Sequence, residues 1–153
     1  GQQWYLPRTG ATVAWGLTTG TRRVTVALVD TGIEHAHPDL APSLVPGYNA
    51  VDRLAEAAGG ATEDLNGHGT ETAGVAGANG DNAAGICGVV WDVRLMPVRA
   101  SNSPSDGVPG ASVWVVRRAH PRMRRRRRRL RLSRRCDSKG ALRGLSRLFL
   151  IFL

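Results

Sequence analysis

The clearest signal in the hydrophobic pattern is Val24-Thr25-Val26-Ala27-Leu28-Val29, a β-branched run closed by Asp30-Thr31-Gly32. A continuous apolar stretch bounded by turn residues predicts a strand buried on both faces. Residues 93–98 predict a second strand, made imperfect by Pro97. Residues 69–78 are rich in Ala and Gly, which predicts a helix packed closely by its neighbours and not an exposed surface helix. Residues 9–17 fit a helical period, with Ala11, Ala14 and Trp15 on one side. At the far end, Leu148-Phe149-Leu150-Ile151-Phe152-Leu153 is an apolar tip far too short to span a bilayer.

Two polar residues punctuate this pattern. Asp30 stands where the first strand ends, held rigidly yet reachable from one side. His68 stands between Gly67 and Gly69, just before the small-residue helix. A carboxylate can orient an imidazole and stabilise its protonated form, so the two supply the first two members of a nucleophilic triad in the order Asp, His, Ser. Taken singly, Asp30 reads as a turn-forming residue and His68 as a helix-start histidine satisfied by backbone. It is the pair, in these flanks, that points to catalysis.

The flanks themselves carry a resemblance. Val26-Ala27-Leu28-Val29-Asp30-Thr31-Gly32-Ile33, His37-Pro38-Asp39-Leu40 and His68-Gly69-Thr70-Glu71-Thr72-Ala73-Gly74 resemble the subtilase family of serine proteases. The likeness begins near Gln3-Trp4 and takes in Ala14-Trp15. It runs on through Asn82-Ala83-Ala84-Gly85-Ile86-Cys87-Gly88-Val89 and Leu95-Met96-Pro97-Val98-Arg99, and fades after about Ala100. An Asp-Thr-Gly alone would also suit an aspartic protease, but there the aspartate needs a second carboxylate partner. No second Asp-Thr-Gly or Asp-Ser-Gly is present.

The resemblance implies an α/β fold: part of a doubly wound, mostly parallel sheet with flanking helices and a site at the carboxyl-terminal strand edges. It implies a serine endopeptidase acting on peptide or protein substrates, with Asp30 orienting His68 and His68 serving as base. It also points to a secreted protein, although no signal peptide is visible and the chain opens on Gly1, which reads as a processed or incomplete start. The nucleophile is the missing member. None of Ser43, Ser101, Ser103, Ser105, Ser112, Ser133, Ser138 and Ser146 stands in a Gly-Thr-Ser-x-Ala setting. Gly110-Ala111-Ser112 is faintly similar but lies too soon after His68. The family's oxyanion asparagine is expected in the same missing part, so the chain as written is expected to be inactive.

The resemblance further implies calcium, through Gln2 or Gln3, Asp39, and the turn Asn79-Gly80-Asp81-Asn82-Ala83. Oxygen-rich side chains and turn carbonyls suit a hard cation. The ligand set expected is Gln2, Asp39, Asn79 and Asp81, with an ordinary Asn/Gly/Asp turn as the alternative. His35 and His37 could instead begin a zinc site, which would need a third convergent ligand.

Charge divides the chain in two. Residues 1–116 carry 6 basic and 11 acidic side chains, whereas residues 117–153 carry 15 basic and 1 acidic, and the whole nets +9. The boundary falls near Val116. Arg124 to Arg129 is an unbroken arginine run whose charges cannot be buried together. The organisation expected is a truncated peptidase domain over 1–112 and a basic low-complexity tail over 113–153, disordered or isolated-helical. A family likeness that fades before an arginine-rich stretch is what a shifted reading frame or retained intron produces, with a natural basic interaction tail as the alternative. That tail supplies the competing function, nonspecific binding of nucleic acid or anionic membrane. It lacks interleaved aromatics and any recognisable module, so specific nucleic-acid recognition is not expected. No G-x-G-x-x-G or Walker loop follows a strand, which sets aside nucleotide binding. Cys87 and Cys136 have neither metal spacing nor a disulfide framework.

Overall fold

A computed structural model of the chain describes residues 3–101 and the backbone of residues 147–152. Strand β1, Gly20–Asp30, starts at the solvent-exposed edge of the molecule and becomes fully buried from Val26 to Asp30, where the apolar run lies. Two short strands follow, β2 (Tyr48–Asn49) and β3 (Leu54–Ala55), paired antiparallel. Strand β4, Asp92–Arg99, runs parallel to both β1 and β2. With β5, Arg147–Phe152, the sheet has the order β3-β2-β4-β1-β5.

Burial on both faces explains why the second half of β1 reads as a continuous hydrophobic run. Val26, Leu28, Val93 and Leu95 pack on one face with Ile33, Leu40, Ala73 and Ala78. Ala27, Val29 and Val98 pack on the other. A strand covered on both sides needs apolar residues at every position.

Helix α3, His68–Gly77, lies on the first of these faces. A Cβ added at Gly77 would fall 2.8 Å from Leu95 Cδ2 and 3.0 Å from Val93 Cγ1. The helix therefore approaches β4 closer than ordinary side chains allow, which accounts for the run of Ala and Gly. Pro97 is tolerated inside β4 because of the way it faces. Leu95 O accepts from Val45 N and Arg99 O accepts from Ala50 N, so alternate residues 95, 97 and 99 turn their backbone groups toward the β2 side. There the pairing is interrupted between the Leu44–Leu95 bridge and Tyr48, beside Val98, so Pro97 sits at a break in the ladder.

Two differences from the sequence reading have physical causes. The segment 9–17 is not one helix. Single turns α1 (Tyr5–Arg8) and α2 (Ala11–Ala14) are separated by Gly10 in left-handed backbone at φ 77°. Ala11 is buried but Ala14 is exposed, and Trp15 instead lies against Trp91 with ring centroids 4.7 Å apart. The second difference is β5, where no strand was expected. Its backbone pairs parallel with β1 from Val24 beside Arg147 to Val29 beside Phe152. A half-built sheet leaves β1 with an unpaired row of N–H and C=O groups, and a Pro-free apolar run is the sequence type that such an edge accepts. β5 departs from the expectation of a disordered or isolated-helical tail over 113–153, and residues 102–146, with the arginine run at 124–129, lie outside the described residues. Among the described residues no helix is long and apolar enough to cross a membrane.

Candidate active site

The parallel register brings the ends of β1 and β4 to one rim, with Asp30 beside Arg99, and the rim at the carboxyl ends of parallel strands is where α/β folds gather their chemistry. Asp30 is almost wholly buried, at 2 % exposure, while the His68 side chain is 49 % exposed. His68 Nδ1 lies 2.8 Å from Asp30 Oδ1 and 3.0 Å from Oδ2. Asp30 is held from behind, since Thr31 N donates to its Oδ1 at 2.7 Å and Thr72 Oγ1 lies 3.4 Å from its Oδ2. Thr72 also donates to the His68 carbonyl at 2.7 Å, one turn back along α3. With Nδ1–H committed to the carboxylate, Nε2 is left as the basic atom of the ring.

Electrostatics agree with the geometry. The Asp30 carboxylate, as hydrogen-bond acceptor and then as charge, raises the His68 imidazole above its ordinary 6.5. Partial burial opposes the rise, while the charges of Glu71 and Asp64 add to it. The pair thus favours the imidazolium, the state in which a base holds the proton it has taken.

Asp64 was not singled out from the sequence, yet it is the most heavily bonded carboxylate near the rim. Its Oδ1 accepts from Thr31 Oγ1 at 2.8 Å, Asn66 N at 2.9 Å and Gly67 N at 3.0 Å. Its Oδ2 accepts from Thr70 N at 2.9 Å and Thr70 Oγ1 at 2.6 Å. The sequence signal that could have found it is an acidic residue in a turn just before a helix start. Burial pushes this carboxyl up, but the bonds from Thr70, Gly67, Asn66 and Thr31 outweigh burial and hold it down at about 2.

A folded value below the unfolded one gives stability that is present above 3.8 and lost as pH falls through about 2. Full weight would be about 2.5 kcal/mol, and solvent screening of this half-exposed group reduces it to about 1 kcal/mol. Denaturant titrations across that acid range are therefore expected to lose about 1 kcal/mol more for the native chain than for Asp64→Asn. Parallel acid profiles for the two would show that Asp64 is not the group responsible.

The positions expected to hold metal are only partly brought together. Asp39 is buried, and Asn79 donates from Nδ2 to the Asp39 carbonyl at 2.6 Å. The Asp39 carboxylate accepts from Asn82 Nδ2 at 2.8 Å and from Ile86 N at 2.9 Å, and Asn79 Oδ1 accepts from Ser43 Oγ at 2.9 Å. Asp81 is exposed at the turn in left-handed backbone, φ 57°. Gln2 lies outside the described residues, while Gln3 bonds Cys87 through both its amide oxygen and nitrogen. His35 and His37 go separate ways. His35 Nε2 is 3.0 Å from Thr62 Oγ1, and His37 Nδ1 accepts from Asp39 N at 3.2 Å. Among the described residues no three or more of His, Cys, Asp and Glu form a metal-holding group.

Sheet order, helix placement and the occupied rim together set the class, a subtilisin-like α/β unit. The chain belongs to the subtilase family, whose sequence profile matches residues 21–115. That match ends within a residue of the charge boundary at Val116. A thermophilic serine proteinase from Bacillus sp. strain AK1 is 36 % identical over 107 residues, which are 70 % of this chain and 25 % of that protein. Thermitase from Thermoactinomyces vulgaris is 36 % identical over 94 residues, 61 % of this chain and 32 % of that one. Among solved structures, MycP1 with its N-terminal propeptide removed is 31 % identical with a TM-score of 0.56, covering 76 % of this chain and 32 % of that chain. Fervidolysin from Fervidobacterium pennivorans, described as a keratinolytic enzyme related to subtilisin, is 33 % identical with a TM-score of 0.51, covering 60 % and 13 %. The chain thus spans about a quarter to a third of the length of these two curated relatives.

Proposed function

We propose that residues 1–112 are the acid-and-base portion of a subtilisin-like serine endopeptidase domain, followed over 113–153 by a basic segment whose residues 147–152 return to the sheet as β5. The observation that carries the reading is the 2.8 Å contact between His68 Nδ1 and the buried Asp30 at the strand rim. In that arrangement Nε2 takes the proton of a serine hydroxyl as the hydroxyl attacks a peptide carbonyl. Asp30 keeps the ring in the right tautomer and stabilises the imidazolium, and the proton then passes to the leaving amine. Substrates are peptides or proteins.

The same logic makes this 153-residue chain catalytically silent as written. His68 has no Gly-Thr-Ser-x-Ala serine to deprotonate, and a water in its place has neither positioning nor oxyanion donors. Of the two described serines, Ser43 is buried against Asn79, and Ser101 is buried just beyond the end of β4, outside any Gly-Thr-Ser-x-Ala setting. A fluorogenic peptide assay is expected to give the same background rate for this chain and its His68→Ala variant, with no serine labelled by a fluorophosphonate probe. Hydrolysis that vanishes in the variant, or a labelled serine, would refute the silent state and expose a nucleophile elsewhere in the chain.

Calcium is proposed for the Asp39–Asn79 turn on narrower grounds. A buried carboxylate sits beside a turn with Asp81 and Ala83 both at positive φ, and each Asp39 oxygen has a lone pair beyond the one its donor uses. Asp39 and Asn79 would hold the ion, which would neutralise the buried charge and tie down the turn. Thermal melts of the chain with added calcium and with a chelator test it: a midpoint that calcium does not raise would remove the ion from the description.

A further inference from the structure

We propose that Asp64 is a positioning residue for the Asp30–His68 pair, because its carboxylate bonds the neighbours of both side chains and thereby sets their separation. The inference rests on reading that pair as an orienting carboxylate and its base. Thr31 follows Asp30 directly, and its hydroxyl donates to Asp64 Oδ1 while accepting Gly69 N at 2.9 Å. Gly69 and Thr70 follow His68 directly, and Thr70 gives Asp64 Oδ2 both its N–H and its hydroxyl. One carboxylate therefore clamps the exit of β1 to the first turn of α3, with the two reacting side chains each one residue from the clamp.

The fold makes this clamp the main support of the first turn. Gly67 precedes α3 in left-handed backbone at φ 102° and has no side chain to cap it. The orphan N–H groups of a helix start need acceptors, and Asp64 accepts from Asn66, Gly67 and Thr70 together. His68 is the first residue of the helix, so fraying of that turn displaces the imidazole directly. The loop carrying Asp64 is itself docked on β1, with Ile33 N donating to Thr62 O at 3.1 Å. It packs so closely over Gly32 that a Cβ there would come within 2.6 Å of the Thr62 and Glu63 carbonyl oxygens.

The test uses the intact 153-residue chain, nitrogen-15 labelled, and reads the His68 ring by NMR. The native chain should show a hydrogen-bonded Nδ1–H proton and a titration midpoint above 6.5, with Asp30, Glu71 and Asp64 as the charges acting on the ring. In Asp64→Asn the amide cannot accept all five bonds, so exchange of that proton should quicken by about tenfold or more and the midpoint should fall toward 6.5. Thr70→Val removes one clamp bond without changing charge, and should move both readouts the same way by a smaller amount. Thr70→Ser restores the hydroxyl and should return them to native values. A folded Asp64→Asn chain that keeps the native proton and midpoint overturns the proposal. If Asp64→Asn does not fold, the Thr70 pair decides, and identical spectra for Thr70→Val and Thr70→Ser overturn it equally. A native chain lacking the bonded proton would instead overturn the Asp30–His68 reading and the clamp with it, an outcome distinguished by the native spectrum alone.

Discussion

When residues 20–99 of this chain replace the matched segment of the Bacillus AK1 serine proteinase, the resulting chimera is expected to hydrolyse peptides, and His68→Ala is expected to lower its kcat/KM by roughly 10⁴–10⁶-fold. The size follows from the way triad members act as a unit. A hydroxyl without its base is a poor nucleophile, and a base without its hydroxyl has nothing to deprotonate, so removing either abolishes nearly the whole contribution. Asp30→Asn should cost roughly 10⁴-fold, since the amide N–H donates to Nδ1, which places the ring proton on Nε2 and leaves no basic nitrogen facing the hydroxyl. The binding of peptide to the surrounding surface is left in place, so the loss should fall on kcat more than on KM. An active chimera indifferent to His68→Ala would remove His68 from the chemistry, whatever its distance from Asp30.

The second large effect is structural. Gly69→Ala should destabilise the chain by about 3 kcal/mol or more, although alanine is intrinsically the better helix former by about 1 kcal/mol. The added methyl would collide with the Gly32 carbonyl oxygen and stand 3.1 Å from Gly32 N and Thr31 Oγ1. Those atoms are backbone and a bonded hydroxyl, and they cannot turn aside as a flexible side-chain tip can. Relief requires α3 to lift from the end of β1, which also parts Asp30 from His68. Gly74→Ala, five residues along the same helix, is the control. Its methyl would meet only Ile86 Cδ1 at 3.3 Å, the end of a side chain already 39 % exposed. It should be neutral or stabilise by up to about 1 kcal/mol. Denaturant midpoints that rank the two variants in the opposite order would show that α3 does not sit as close to Gly32 as described.

What was legible in the sequence was whatever depends on neighbours in the chain. The run 24–29 ends at a turn, so Asp30 could be placed at a strand end, and the glycines around His68 marked a close-packed helix start. Family-like flanks then joined the two across the intervening residues. Asp64 was not legible because its role depends on residues 60–66 passing back over Gly32, a contact that local pattern does not record. The helix expected at 9–17 is shortened to Ala11–Ala14, and its late start follows from Gly10, whose left-handed backbone cuts it off from the preceding turn. The strand at Arg147–Phe152 was hidden for a different reason. Its partner is β1, and an apolar run beside an arginine-rich stretch looks the same whether or not a distant edge is waiting for it.

That pairing has a kinetic consequence. Val24 and Arg147 are neighbours in the sheet although more than a hundred residues separate them in the chain. Loop-closure entropy grows by only about 0.6 kcal/mol per doubling of length, so closing this loop costs less than about 0.6 kcal/mol more than the β1–β4 closure. Time is the larger matter, because non-local pairings are the slow steps of folding. During synthesis β1 emerges early and meets β4 once residue 99 has been made, but its other side stays open until residue 147 follows. For that interval the strand that carries Asp30 is a one-sided template, open to the edge of any other nascent chain that reaches it first.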